Sequence, residues 1–320
     1  MVYEYAVEPA ALNNWQDFRY VYDQIGVEHG RLISRYPSKW ASMVMKSCEE
    51  NKHLRDVDRL RIVEKLKNQE KNKMARLNRS YDSDNDSQNT WMSNVAMQNR
   101  QRPFHAIIAR SIALKIPNLI NIENVDPSHP LWQVPKDNKV LRKAKELAQC
   151  SRLLLQMSKE ILIIDPHFDP MERRFLKTFS HLIKYAFEEH APKRIELHVE
   201  YDYWKEQKRA TDWGKDCLQN LPLLIPEGFT LQVFRWKSRA RGEGNNDKLH
   251  PRYVMTELGG IRYDYGIDEG PGTTDVTLLS VSLYEQRWHD YQKETSAFEL
   301  FGEPILIQGS LRQNVGERQT

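Results

Sequence analysis

The sequence predicts an α/β protein. A layered sheet with flanking helices spans residues 101–320, and a mainly helical region, residues 1–100, precedes it. Three observations carry this. Extended and helical patterns alternate from about residue 140 onward. The run Ile161-Leu-Ile-Ile164, closed by Asp165-Pro166, reads as a strand buried on both faces. The first 80 residues place apolar side chains mainly at helical spacings.

In chain order, Trp15, Phe18, Tyr22 and Ile25 make an amphipathic face. Gly26 and Gly30 break it, and a second helix follows Pro37. Asp56 caps a third helix, reaching about Arg79, with Leu60, Val63 and Leu66 as a sparse stripe among many cations. Those cations allow a nucleic-acid-facing helix, but a solvated face is the stronger reading, since Glu64 and Glu70 interrupt them. Residues 80–90, rich in Asp, Asn and Ser, read as a linker. Asp82, Asp84 and Asp86 have a calcium-loop spacing but lack its glycine and distal glutamate. A short helix from Trp91, a strand at FHAIIARS and an extended LINIENV come next. Prolines 127, 130 and 135 mark an irregular connection in which Trp132 plugs the core. Asn138–Met157 reads as a long helix, then come the buried strand at 160–165 and an amphipathic helix at Phe175–Glu189. Strands at Arg194–Tyr201 and Phe229–Trp236 flank a helix at Trp204–Leu221. A hairpin over Leu249–Asp268, turning at Gly259-Gly260, leads to a strand from Thr274, a helix at Tyr284–Phe298 and a last strand at Pro304–Gln308.

Composition bounds the class. Of 320 residues, 40% are hydrophobic and 28% charged, as in globular proteins. A net charge of +3 does not argue for nucleic-acid binding unless it is concentrated in one place. Cys48, Cys150 and Cys217 are odd in number and far apart, so they imply no disulfide framework or zinc cluster and fit a cytoplasmic protein. No run is long enough for a transmembrane segment, and no secretory leader is visible.

The hairpin carries the chemistry. His250 and Arg252, two residues apart on a strand, share a face and put a nucleophile or proton carrier beside a phosphate-binding cation. Glu257 follows five residues later, then Gly266-Ile-Asp268. His-x-Arg alone is uninformative, since His29-Gly-Arg31 and His53-Leu-Arg55 repeat it. With the surrounding element order, the stretch resembles the phospholipase D superfamily motif, His-x-Lys, four residues, Asp, then Gly-Ser and Asn. Arg252 stands for the lysine, Glu257 for the aspartate, Gly266 for the later glycine displaced by two, and Ile267 and Asp268 depart from the pattern. The resemblance covers about residues 140–310 and implies a phospholipase D-like layered sheet.

It also implies a metal-independent phosphodiesterase or nuclease without cofactors. In such an enzyme a histidine attacks phosphorus, a second histidine protonates the leaving oxygen, and cations hold the non-bridging oxygens. His250, Arg252 and Glu257 are the catalytic candidates, with Glu257 orienting the imidazole. One motif implies a homodimer, or a subunit of a larger complex, although His167 on the tip after the buried strand is a second histidine within the chain. Asp165, His167 and Asp169 alternate; a substrate-lining role fits them better than a metal. The segment before the motif holds Arg235, Lys237, Arg239, Arg241 and Lys248, cations suited to phosphates of DNA or RNA. Asp268 would repel such a substrate unless Arg262 or Arg252 neutralises it.

By analogy with other single-motif family members, a prokaryotic defence or mobile-element setting is expected. Two other readings remain open. One is a catalytically inactive scaffold subunit of a nucleoprotein complex. The other is a phosphoinositide or membrane-binding module, because the hairpin is also similar to the phospholipase D-like C-terminal domain of some MIT-domain proteins.

Overall fold

The computed structural model describes residues 1–68, 72–82, 90–111, 115–202, 206–207, 209–239 and 249–312. The chain divides into two compact units, Met1–Lys136 and Asp137–Thr320. Both are α/β.

The first unit is not mainly helical. Five parallel strands form its sheet: β1 (Tyr3–Val7), β2 (Arg31–Ser34), β3 (Met74–Ala75), β4 (Ala106–Ala109) and β5 (Leu119–Asn121). Their order is β3-β2-β1-β4-β5. The unit therefore extends to residue 136 rather than ending near 100, because β4 and β5 complete the sheet begun by β1. Side chains alternate between two cores. Tyr5, Val7, Ile33 and Ile108 meet α1 (Trp15–Asp23), α2 (Trp40–Glu50) and α3 (Asp56–Lys67). Ala6, Ile107 and Ala109 face the opposite way, toward α4 (Thr90–Gln101). In α3 the buried residues are Asp58, Ile62 and Leu66, whereas Leu60 is 69% exposed, and β3 lies where a longer helix was expected. Trp132 is buried, as its place among prolines predicts.

The second unit carries a mixed sheet. Its strands are β6 (Asp137–Leu141), β7 (Glu160–Ile164), β8 (Arg194–Glu200), β9 (Thr230–Lys237), β10 (Arg252–Thr256), β11 (Gly259–Tyr263), β12 (Thr273–Leu278), β13 (Glu299–Leu300) and β14 (Ile305–Gln308). They run β13-β9-β8-β7-β10-β11-β12-β6, with β14 also on β9. The strands β7, β8 and β9 are parallel; β10 returns antiparallel to β7. The helix expected over Asn138–Met157 is instead β6 followed by α5 (Ala144–Gln149) and α6 (Arg152–Met157). The start of that stretch pairs with β12 at the sheet edge. Helix α7 (Arg173–Ala186) turns Phe175, Phe179, Leu182 and Ile183 inward. Helix α8 (Trp213–Asn220) follows β8, and α9 (Val281–Asp290) packs Leu283, Tyr284 and Trp288 against a core of Leu162, Ile164, Tyr253 and Met255. The turn joining β10 to β11 is Glu257-Leu258, and Gly259-Gly260 lies within β11. A Cβ on Gly260 would come within 2.8 Å of Leu279 Cδ1, so the glycine permits close packing rather than the turn.

A buried polar chain fixes the centre of this sheet. Trp236 Nε1 donates to His198 Nδ1 at 2.9 Å, so the imidazole proton sits on Nε2, which faces Glu196 Oε2 at 3.1 Å. Burial holds the His198 imidazole below its ordinary value, against the pull of Glu196. An unfolded His198 takes up a proton near pH ~6.5, while the folded one resists to lower pH. Its contribution to stability is therefore complete above that pH and is lost as pH falls toward the folded value. His198→Leu is expected to lower unfolding free energy by about 1–3 kcal/mol, because Trp236 Nε1 loses its acceptor. The variant should also lose less stability than the wild type between about pH 7 and pH 5. Urea unfolding across that range checks both, and equal pH slopes would exclude His198 as the titrating group.

Candidate functional site

Because β7, β8 and β9 are parallel, their carboxyl ends share one edge of the sheet, the edge where open α/β sheets place ligands. The strand β10 enters from that edge. Tyr253 lies opposite Ile164, so the residues just before Arg252 stand beside the tip that follows β7. His250 and His167 meet there. Their rings are edge to face, with centroids 6.2 Å apart, and both residues are exposed. The second histidine thus stands in the same chain as the first.

Asp165 ties the two chain segments together. It is buried; its Oδ1 accepts from His167 N at 3.0 Å and its Oδ2 from Ile267 N at 3.3 Å. Burial pushes its carboxyl up to about 6, and Asp268 adds to this, while the two amides and Arg252 oppose it. Arg252 donates from Nη1 to Asp264 O at 3.4 Å, and its Nε has no hydrogen-bond partner among the described residues. Gly266 adopts φ +106°, where a Cβ would lie 2.7 Å from Asp268 Oδ1; the tight return past Arg252 requires a glycine.

Other expected residues are placed differently. Glu257 does not reach His250. Its carboxylate accepts from Lys159 N at 2.7 Å and Glu160 N at 3.0 Å, holding the start of β7 at the opposite end of the sheet. The five residues from Arg252 span about 17 Å in a strand, which by itself separates the two groups. Asp268 is buried and neutralised, but not by Arg252 or Arg262. Its Oδ2 accepts from Arg142 Nη2 and Arg174 Nη1, both at 2.9 Å, and Arg262 pairs with Asp264 at 3.0 Å. Sequence reasoning missed Arg142 and Arg174, which lie far from the motif in the chain.

Asp165, His167 and Asp169 do not converge. Asp169 is engaged by Arg209 through two bonds of 2.7 and 3.0 Å, which together with the Met171 amide hold its carboxyl below the usual range despite burial. Among the described residues no group of three His, Cys, Asp or Glu is arranged to hold a metal. Asp84 and Asp86 lie outside the described residues.

Of the basic segment, Arg235 and Lys237 share one face of β9. Both stand over the stacked pair Tyr201–Phe301, with the Lys237 ammonium 4.3 Å and the Arg235 guanidinium 5.0 Å from the Phe301 ring. Arg235 also lines a cleft of about 80 Å³ with His167, Glu200 and Asp202. Arg239 is an anchor, donating to the carbonyl oxygens of Ala297 and Ser296. Arg241 and Lys248 lie outside the described residues.

No family model matches the chain, and no curated protein matches it. No helix among the described residues is long and apolar enough to cross a membrane. What the site offers is two exposed histidines with their rings edge to face, and a buried carboxyl, acted on by Arg252, that holds the backbones of His167 and Ile267.

Glu257→Ala is expected to lower stability by about 1–3 kcal/mol, through two backbone N–H groups left without their acceptor. Any activity that depends on His250 should remain. Thermal unfolding and an activity assay on the same sample check this, and lost activity in a fully folded variant would restore Glu257 to the site.

Proposed function

We propose that this is a nucleic-acid-directed protein whose second unit acts as a phospholipase D-like, metal-independent phosphodiesterase on DNA or RNA. The pairing of two exposed imidazoles, 6.2 Å apart, carries this reading. Neutral His250 attacks phosphorus, and the P–O bond to the leaving oxygen breaks. Protonated His167 delivers its proton to that oxygen. Water then attacks the phosphohistidine, His167 takes the water's proton, and His250 is released. Arg252 bears on the non-bridging oxygens, where its planar fork suits phosphate. Both imidazoles come from one chain, so a homodimer is not needed to complete the pair.

A second reading has its own support. Glu200 and Asp202 border the cleft beside His167 and oppose an anionic substrate. They favour a catalytically inactive, phospholipase D-like scaffold subunit of a larger nucleoprotein complex.

Cleavage of single- and double-stranded DNA and RNA with EDTA present separates the two. Activity is expected to fall by ~10²–10⁴-fold in His167→Ala. It should fall by ~10²–10³-fold in Arg252→Gln. His250→Ala, lacking the nucleophile, should be inactive. Absence of cleavage in the wild type, with nucleic-acid binding retained, would overturn the enzyme in favour of the scaffold.

A further inference from the structure

A larger cleft, about 590 Å³, lies on the second unit between the entry to α5 and the solvent face of α7. Lys143, Lys145, Arg173 and Lys177 line it, with Glu269 as the one carboxylate and His181 at its edge. Counting His181 as neutral, four cations and one carboxylate leave an excess of three positive charges. The cleft is thus locally cationic, in a chain whose net charge is only +3.

The cleft already holds one anionic group. Glu269 accepts from Ala144 N and from the Lys177 ammonium, which hold its carboxyl below the usual range. Lys143 also bears on Glu269 through space, without a direct contact. Among the described residues no ion pair engages Lys143, Lys145 or Arg173, and all three are exposed. Arg173 and Lys177 stand four residues apart on α7, about 6 Å along the helix, with Lys143 and Lys145 across the cleft at the entry to α5. Cations spread along an open cleft in this way suit an extended anion better than one compact anion. Leu176, Leu224 and Ala144 supply the apolar lining, with no Phe, Tyr or Trp on which a base could stack. Contacts here would be to phosphates and independent of sequence.

The segment 266–269 runs from beside Arg252 to this cleft. A Cβ on Gly266 would come within 3.8 Å of Arg252 Nε, Asp268 is gripped by Arg142 and Arg174, and Glu269 lines the cleft. We infer that the cleft is a track for the phosphodiester backbone of a single nucleic-acid strand, continuing from the His250–His167 site; this rests on the nucleic-acid reading above.

The test is binding of a fluorescein-labelled 20-nucleotide oligo(dT) to the full chain, followed by anisotropy at several salt concentrations. It is done in a His250→Ala background so that the strand stays intact. Adding Lys143→Gln, Lys145→Gln and Arg173→Gln together should reduce the slope of log K against log salt by about 2, at ~0.7 per lost phosphate contact. Affinity at low salt should fall by about tenfold or more, with an unchanged unfolding temperature. An unchanged slope and affinity would overturn the track, as would no binding by the His250→Ala parent. Binding of a poly-glutamate peptide but not of the oligonucleotide would overturn it in favour of an acidic protein partner. Failure of the chemistry shows separately: loss of binding in the triple variant with no cleavage by the wild type keeps the track and removes the enzyme.

Discussion

The antiparallel pairing of β10 with β7 is the constraint on which the candidate site depends. Three parallel strands alone would present the tip bearing His167 to solvent with nothing opposite it. The strand β10 returns through the middle of the sheet, so its first residues lie where β7 ends. Pairing Tyr253 with Ile164 brings His250 to His167, and a slip of one residue would turn the flanking side chains to the wrong face. The same pairing carries Glu257 to the other end, where it satisfies two amides at the start of β7. One strand thus places the candidate histidine at one end and anchors the start of β7 at the other.

Two buried acids near the histidines are handled in different ways. Asp268 is matched by two guanidiniums drawn from β6–α5 and α7, an arrangement that compensates its charge directly. Asp165 is held by two backbone amides, with Arg252 contributing only at a distance, and its carboxyl is pushed up. The difference follows from place. Asp165 has an oxygen on each of two backbone amides, those of His167 and Ile267, and so is spent on holding the strand tip. Asp268 lies beyond Gly266, where binding two arginines leaves Arg252 uncommitted to any carboxylate.

Much of the second unit was legible in the sequence because its central strands are long and apolar or cleanly alternating. Ile161–Ile164, Arg194–Glu200 and Thr230–Lys237 are such stretches. The first unit's sheet was not legible. Its strands β2, β3 and β5 are two to four residues long. Its first strand contains Glu4, a residue that reads as solvent-facing. Glu4 is in fact buried against Arg79 and Ser34, a pairing across 75 residues that no local pattern announces. At the site, the motif pointed to His250 and the polar strand tip to His167. The role given to Glu257 failed because motif spacing was read without the rise of a strand. The Lys143–Arg173 cleft left a trace, Arg173 and Lys177 four residues apart on the polar face of a helix, but no chain-local sign tied them to residue 269.

The central position of β1 in the first sheet bears on where this protein can be divided. A cut near residue 100, which composition suggests, would carry β4 and β5 away from β1. It would leave the amide and carbonyl groups of Tyr5, Ala6 and Val7 as an open edge between two hydrophobic layers, a surface that invites association with other chains. The released piece would begin with a two-stranded remnant lacking its sheet. A cut after Lys136 severs no strand pairing, since β6 finds its neighbour in β12 on the same side. The proper place to separate the two units is therefore the irregular, proline-marked connection just before Asp137, not the linker that looks most hydrophilic.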